Sequence, residues 1–169
     1  MDRHPGGETQ TRYMLELSFL PAGSRWLDMG AGDGSAMKIL EGQGHFCLGI
    51  DMEPRGEYVR KGNYLHTDFL EESFDGVLSQ CAFHVGGDVP GAFREAARVL
   101  RKGGRLVVSD VCWDAKELVN TARQAGFAIR HMEDLTELWK EYYFDALWKG
   151  ENVPRGKGCS YLLLVCERT

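Results

Sequence analysis

Three glycines at alternate positions, Gly30, Gly32 and Gly34 in the stretch LDMGAGDGS, follow an apolar run and precede a helical pattern. Glycine backbone adopts dihedrals closed to other residues and lets a ligand approach closely, and amides at a helix start favour an anion. The pyrophosphate of a dinucleotide uses similar glycines. Here, however, Ser35 stands where a GxGxxG pattern would put its last glycine, and Asp28 lies two residues before the first one. A carboxylate at that place sits poorly beside a pyrophosphate and suits a cation, such as an ammonium or a sulfonium. Asp51 closes the next apolar run, LGIDMEP, where it can accept both hydroxyls of a ribose. Asp68, in HTDFLE, is placed to accept from an exocyclic amine. The ligand so described is an adenosine with a positively charged, carboxylate-bearing tail.

Two histidines extend the set. His84, in CAFH just after a strand pattern, is the best-placed base for an acceptor that must lose a proton. His4, in RHPGG, is the weaker candidate.

These residues need a scaffold, and the chain supplies alternating patterns. Strands are expected at 25–29, 45–51, 64–68, 74–80, 104–111, 127–133 and 160–167. Phe93, Ala96, Ala97 and Leu100 recur at helical spacing, with Gly103 suited to the left-handed residue that ends a helix. A second helix opens at Asp114, with Glu117 three residues on as in a capping box. Its stripe is Ala115, Leu118, Val119 and Ala122, and Gly126 closes it. Strands alternating with helices imply parallel crossovers and an open α/β sheet covered on both faces. In such sheets ligands bind beyond the carboxyl ends of the strands, where the glycine loop falls. The segment 134–158 is expected to put Leu135, Leu138, Trp139, Tyr142 and Ala146 on one core-facing helical stripe. Phe144 and Trp148 fall outside it, a second aromatic patch suited to covering a substrate site or meeting a partner.

At 169 residues the chain is read as one domain. A formal net charge of −5 argues against nonspecific nucleic-acid binding, and Arg94, Arg98, Arg101, Lys102 and Arg105 read as a solvated face. MDRHPGG lacks the apolar core of a signal peptide, and the apolar runs are too short to span a bilayer. Five cysteines, none in a CxxC pair, suggest neither a disulfide framework nor a zinc site. A reducing cytoplasm, with no membrane contact, is the expected setting.

The stretches LDMGAGDGS, GIDMEP, DFLEESFDGVLSQCAFH and FREAARVLRKGGRLVVSDV occur here in the order and spacing of a known family. Over about residues 26–111 the chain resembles a class I S-adenosylmethionine-dependent methyltransferase, of the small type related to quinone and arsenite methyltransferases. AGFAI and YLLLVCE match its later strands more loosely. The resemblance implies a Rossmann-like seven-stranded sheet of order 3-2-1-4-5-7-6, its last strand antiparallel. It implies an N-terminal arm and helix over 1–24, a cofactor-binding half over 25–111 and a substrate-side half over 112–169. It further implies that Asp28, Gly30, Ala31 and Gly32 line the methionine part of S-adenosylmethionine. Asp51 would hold the ribose and Met52 the adenine face, with Asp68 and Phe69 at the adenine edge. Ser79, Gln80 and Cys81 would pass beneath the cofactor, and Arg12 of the arm is a partner for its carboxylate.

Methyl transfer to a small-molecule acceptor is the activity this implies, with S-adenosyl-L-homocysteine as product. No inserted substrate domain is evident, so short loops, the arm and segment 134–158 must recognise the acceptor. That segment is also the place for a homodimer or protein contact. Three rivals stand beside this reading. Cys81 and Cys112 end neighbouring expected strands, and the family's antiparallel seventh strand would start Cys159 at the same edge. Three thiols converging there would hold a soft metalloid, against the plainer reading of small cysteines filling strand ends. The other rivals are a nicotinamide oxidoreductase and a noncatalytic scaffold that binds a protein partner.

Overall fold

In the computed structural model, residues 4–150 and 158–169 are described. The strands are β1 (Arg25–Met29), β2 (Phe46–Asp51), β3 (Val59–Lys61), β4 (Phe74–Gln80), β5 (Leu100–Cys112), β6 (Phe127–Asp134) and β7 (Ser160–Arg168). The helices are α1 (Gly7–Glu16), α2 (Ser35–Gly42), α3 (Val89–Val99), α4 (Ala115–Gln124) and α5 (Thr136–Trp148). The strands form one seven-stranded sheet of order β3-β2-β1-β4-β5-β7-β6. Strands β1 to β5 pair in parallel, and β7 runs antiparallel to both β5 and β6. This is the order implied by the family resemblance.

Pleating sends alternate side chains to opposite faces, and each face has its own core. Leu27, Val77, Leu106 and Val108 pack with Phe83, Phe93 and Phe127 on one face. Trp26, Leu78, Val107 and Leu163 pack with Met14 and Leu15 of α1 and with Ile39 and Leu40 of α2 on the other. Asp88 caps α3 by accepting from the Gly91 amide at 2.8 Å. Asp114 caps α4 through the Lys116 and Glu117 amides, where the sequence signature placed it.

Three local expectations are corrected. The third strand is Val59–Lys61 and not 64–68. It pairs with Gly49–Asp51 as a three-residue edge strand of mostly polar residues, too short to leave a pattern. The apolar Tyr64 that suggested a strand is drawn inward instead, its ring stacked on Phe83 and its hydroxyl donating to the Ala82 carbonyl at 2.6 Å. Helix α3 ends at Val99, because Leu100 turns extended and opens β5; Gly103 is left-handed, but in an excursion after the helix. In α5 only Ala146 of the expected stripe is buried, since the helix packs beside β7 and the N-terminal arm and not between layers. Phe144 and Trp148 are exposed, and residues 151–157 of that segment lie outside the described residues.

Phe93 joins the turn after β4 to the core, its ring edge-on to both Phe83 and Phe127 at 5.4 and 6.2 Å between centroids. It is fully buried. Phe93→Ala is expected to cost about 3–5 kcal/mol, read as a lower midpoint in urea unfolding at unchanged slope.

Candidate active site

The order of the sheet reverses between β1 and β4, and a cleft of about 470 Å³ opens at the carboxyl edge beside that switch point. The size is that of a site for a nucleoside-sized ligand. Its floor is the glycine loop. Gly30 and Ala31 both donate to the Ile50 carbonyl, at 2.9 and 3.1 Å, which ties the loop to β2. Gly30 has a φ of 89°, and a Cβ there would stand 2.3 Å from the Cβ of Ala82. Only glycine lets the β1 loop and the β4 turn approach this closely. The Arg55 amide donates to the Gly32 carbonyl at 2.8 Å, so the β2–β3 connection clasps the loop from the other side.

Four carboxylates line this cleft: Asp28, Asp33, Asp51 and Glu53. Asp51 accepts from the Gly32 amide at 2.9 Å with one oxygen and from the Glu53 amide at 2.8 Å with the other. Asp28 is buried, 3% exposed. Loss of hydration, and then the charges of Asp51 and Asp33, push its carboxyl up to about 7. The arrangement penalises a negative Asp28 until a positive charge arrives.

Of the predicted residues, Asp28, Gly30, Ala31, Gly32, Asp51, Met52, Gln80 and Cys81 line the cleft. Ser79 is buried beneath it and donates to the Met29 carbonyl at 2.9 Å, joining β4 to β1. Cys81 has a φ of 54° and bonds the Ser109 carbonyl through its amide. Gln80 meets the N-terminal arm, accepting from the Thr11 hydroxyl at 3.2 Å, and His4 also lines the cleft.

Besides Ser79, four predicted residues stand outside the lining. Asp68 is on a loop, not a strand end, and its exposed carboxylate pairs with Arg60. The Arg60 guanidinium also lies 5.6 Å over the ring of Phe69, which packs edge-on against Phe74. Arg12 is paired with Glu8 on the exposed side of α1, an i,i+4 contact. His84 points to Asp110, on the β5 side of the turn.

Sequence reasoning missed Asp33, Glu53, Arg55, Tyr64, Ala82 and Val85 in the lining. Asp33 lay in plain view between two of the glycines. The others come from connections whose path depends on the misplaced third strand and on the turn after β4.

The three thiols do not converge. Cys81 is 3.4 Å from the Tyr161 hydroxyl, which donates to Ser109 at 2.9 Å. Ser109 and Cys112 stand at odd and even positions of β5 and so face opposite sides of the sheet. Burial pushes the Cys81 thiol up to about 12 and the Cys112 thiol to about 11, whereas metalloids take thiolates. Among the described residues no three His, Cys, Asp or Glu side chains are grouped to hold a metal ion.

A family model described as a methyltransferase domain matches residues 27–108. A demethylmenaquinone methyltransferase of Tropheryma whipplei (strain Twist) is 31% identical over 111 residues, covering 59% of this chain and 46% of that protein. The chain thus spans about half the length of that relative. An uncharacterized methyltransferase of Anoxybacillus flavithermus is 29% identical over 159 residues, covering 84% of this chain and 71% of that protein. Geranyl diphosphate C-methyltransferase from Streptomyces coelicolor A3(2), solved with Mg2+, geranyl diphosphate and S-adenosyl-L-homocysteine, superimposes with a TM-score of 0.77 at 16% identity. That likeness of fold covers 95% of this chain and 79% of the other.

Asp28 gives the cleft a measurable signature. The unfolded chain releases this proton near pH 3.8, and the folded state holds it to about 7. Between these values unfolding releases a proton, so stability falls as pH rises through the window and levels off above it. In melts from about pH 4 to pH 8, the wild type is expected to lose melting temperature relative to Asp28→Asn up to about pH 7 and no further. Parallel curves for the two proteins would contradict this assignment.

Proposed function

We propose, for a chain whose residues 27–108 match a methyltransferase domain model, that the cleft binds S-adenosylmethionine and that the protein passes its methyl group to a small-molecule acceptor. The observation that carries this reading is the buried Asp28, held in an acidic cleft against a bare glycine loop. A dinucleotide's pyrophosphate would be repelled there, which disfavours the oxidoreductase alternative. A sulfonium or an α-ammonium is attracted.

The lining residues fit the roles implied by the resemblance. Asp28 faces the positive charge, and Gly30, Ala31 and Gly32 offer backbone to the amino-acid part. Asp51, already fixed by two amides, has lone pairs left for a ribose, and the half-exposed Met52 offers an apolar face to adenine. His4 and Gln80 close the side nearest the arm. Asp33 and Glu53 join the ribose side, while Asp68, expected at the adenine edge, pairs with Arg60.

Bound S-adenosylmethionine supplies a methyl group already activated by the sulfonium. The protein's task is then to align the acceptor and exclude water, and positioning alone can contribute roughly 7–11 kcal/mol. None of the described helices is long and apolar enough to cross a membrane. We assign acceptor recognition to the loops at the carboxyl edge and the arm.

Calorimetry tests the binding half of the proposal. A cation favours the ionised Asp28, so affinity for S-adenosylmethionine is expected to rise by up to about tenfold between pH 6 and pH 8, with proton release. Asp28→Asn should weaken binding and flatten that dependence. S-Adenosylmethionine with a labelled methyl group, incubated with the protein and cell extract, tests the rest. Label in the small-molecule fraction supports the acceptor class; label confined to macromolecules contradicts it. Binding without any transfer would leave a scaffold.

A further inference from the structure

The turn after β4 carries a second constellation that the cofactor cleft does not use. His84 meets the carboxylate of Asp110 twice. Its backbone amide donates to Oδ2 at 3.1 Å, and its ring Nδ1 makes a close contact with Oδ1. The Val111 amide donates to the same Oδ1 at 2.7 Å. Asp110 is 4% exposed, at the carboxyl end of β5, so its orientation is fixed by strand backbone and by three donors. A carboxylate held this way takes the imidazole in the tautomer with the proton on Nδ1. Nε2 then carries the lone pair. The His84 side chain keeps 19% of its surface exposed.

The surroundings define what that molecule looks like. Gln80 and Ser109 are aligned neighbours in β4 and β5, so residues 81–85 and 110–113 emerge together at the edge where the cleft opens. Ala82 and Val85 line the cleft on one side of His84. Val85 and Trp113, 68% and 66% exposed, leave apolar surface bare on these two segments. An imidazole acceptor, backed by a buried carboxylate and flanked by exposed apolar groups, suits a hydroxyl on an apolar or aromatic body.

We infer that His84 and Asp110 form a general-base pair, with Asp110 as the positioning residue, and that the acceptor is an apolar or phenolic hydroxyl compound. The inference rests on the methyltransferase reading above. As the acceptor O–H bond breaks, its proton goes to His84 Nε2, and the imidazolium is stabilised by Asp110. The oxygen forms the new O–CH3 bond while the donor's C–S bond breaks and returns its electron pair to sulfur. His84 then gives the proton to water. The contribution of a positioned base to such a step is about 10²–10⁴-fold.

The experiment uses the full chain, S-adenosylmethionine and two phenols as probes: 4-methoxyphenol, which is neutral at pH 8, and 4-nitrophenol, which is largely ionised there. His84→Gln should lower turnover of 4-methoxyphenol by at least about 10²-fold. Its loss on 4-nitrophenol should be at least tenfold smaller, because that acceptor needs no base. A variant damaged only in its fold loses both equally, and that outcome would overturn the pair. The second readout is independent of turnover. Long-range ¹H–¹⁵N spectra should show His84 as the Nδ1–H tautomer, with an Nε2 resonance that moves when 4-methoxyphenol is added. In Asp110→Asn the tautomers should mix. An Nε2–H tautomer in the wild type, or no shift with the phenol, would refute the assignment. Failure of both phenols as acceptors, with S-adenosylmethionine still bound by calorimetry, overturns the hydroxyl acceptor and leaves the methyltransferase reading standing. Loss of cofactor binding itself would remove that reading.

Discussion

Everything at the carboxyl edge depends on one electrostatic imbalance: a buried carboxylate, Asp28, set beside Asp51 and Asp33 with its charge uncompensated. Burying an ion without a partner is costly enough that the group holds its proton instead. The fold accepts this because the rest of the site is backbone. The Gly32 and Glu53 amides take up Asp51, and the Ile50 carbonyl receives two amides of the glycine loop. The cleft is thus rigid in its hydrogen bonds and unsettled only in its charge. A site built this way discriminates by charge before it discriminates by shape.

The same loop explains why β1 and β4 can meet at the switch point. Gly30 touches Ala82, and Ser79 bonds the Met29 carbonyl, so the two central strands are joined at and just below the site. Ala82 in turn takes the Tyr64 hydroxyl, which anchors the connection after β3 to the turn after β4. The cleft and the His84 turn therefore share one mechanical frame. Phe83, between Ala82 and His84, drives that turn into the core against Tyr64 and Phe93.

The legible parts of the sequence were those where periodicity or spacing has a direct physical cause. Strands that carry apolar runs can be read from them, so the parallel β1, β2 and β4 and the antiparallel β7 were found nearly to the residue. The glycines and Asp28 could be read because few other arrangements need them at that spacing. What failed depended on tertiary pairing. Strand β3 exists only because Gly49–Asp51 offers a partner, and its sequence, VRK, has no strand pattern of its own. Misplacing it by five residues carried Asp68 to a strand end that does not exist. It also hid Tyr64, an aromatic that belongs to the cleft and the core at once. Arg12 stands outside the lining for a different reason. Its i,i+4 partner Glu8 satisfies it locally, and a side chain so satisfied has little to gain from reaching over the cleft.

The contrast between Asp28 and Asp110 shows how one fold makes two kinds of carboxylate from the same residue type. Both are buried at the carboxyl ends of parallel strands, at 3% and 4% exposure. Asp28 has acidic neighbours, and its carboxyl is pushed up to about 7. Asp110 instead receives two backbone amides and an imidazole. The difference lies in the backbone immediately beyond each carboxylate. After β1 the chain spends its amides on Ile50 and Asp51, leaving Asp28 to an incoming ligand. At the end of β5 the next amide, Val111, turns back on Asp110, and the turn after β4 supplies the rest. One carboxylate is left in need of a cation, and the other is already committed to orienting a ring. On the proposed reading, that division gives the edge of a single sheet a place for a positive donor and, beside it, a place for a proton to go.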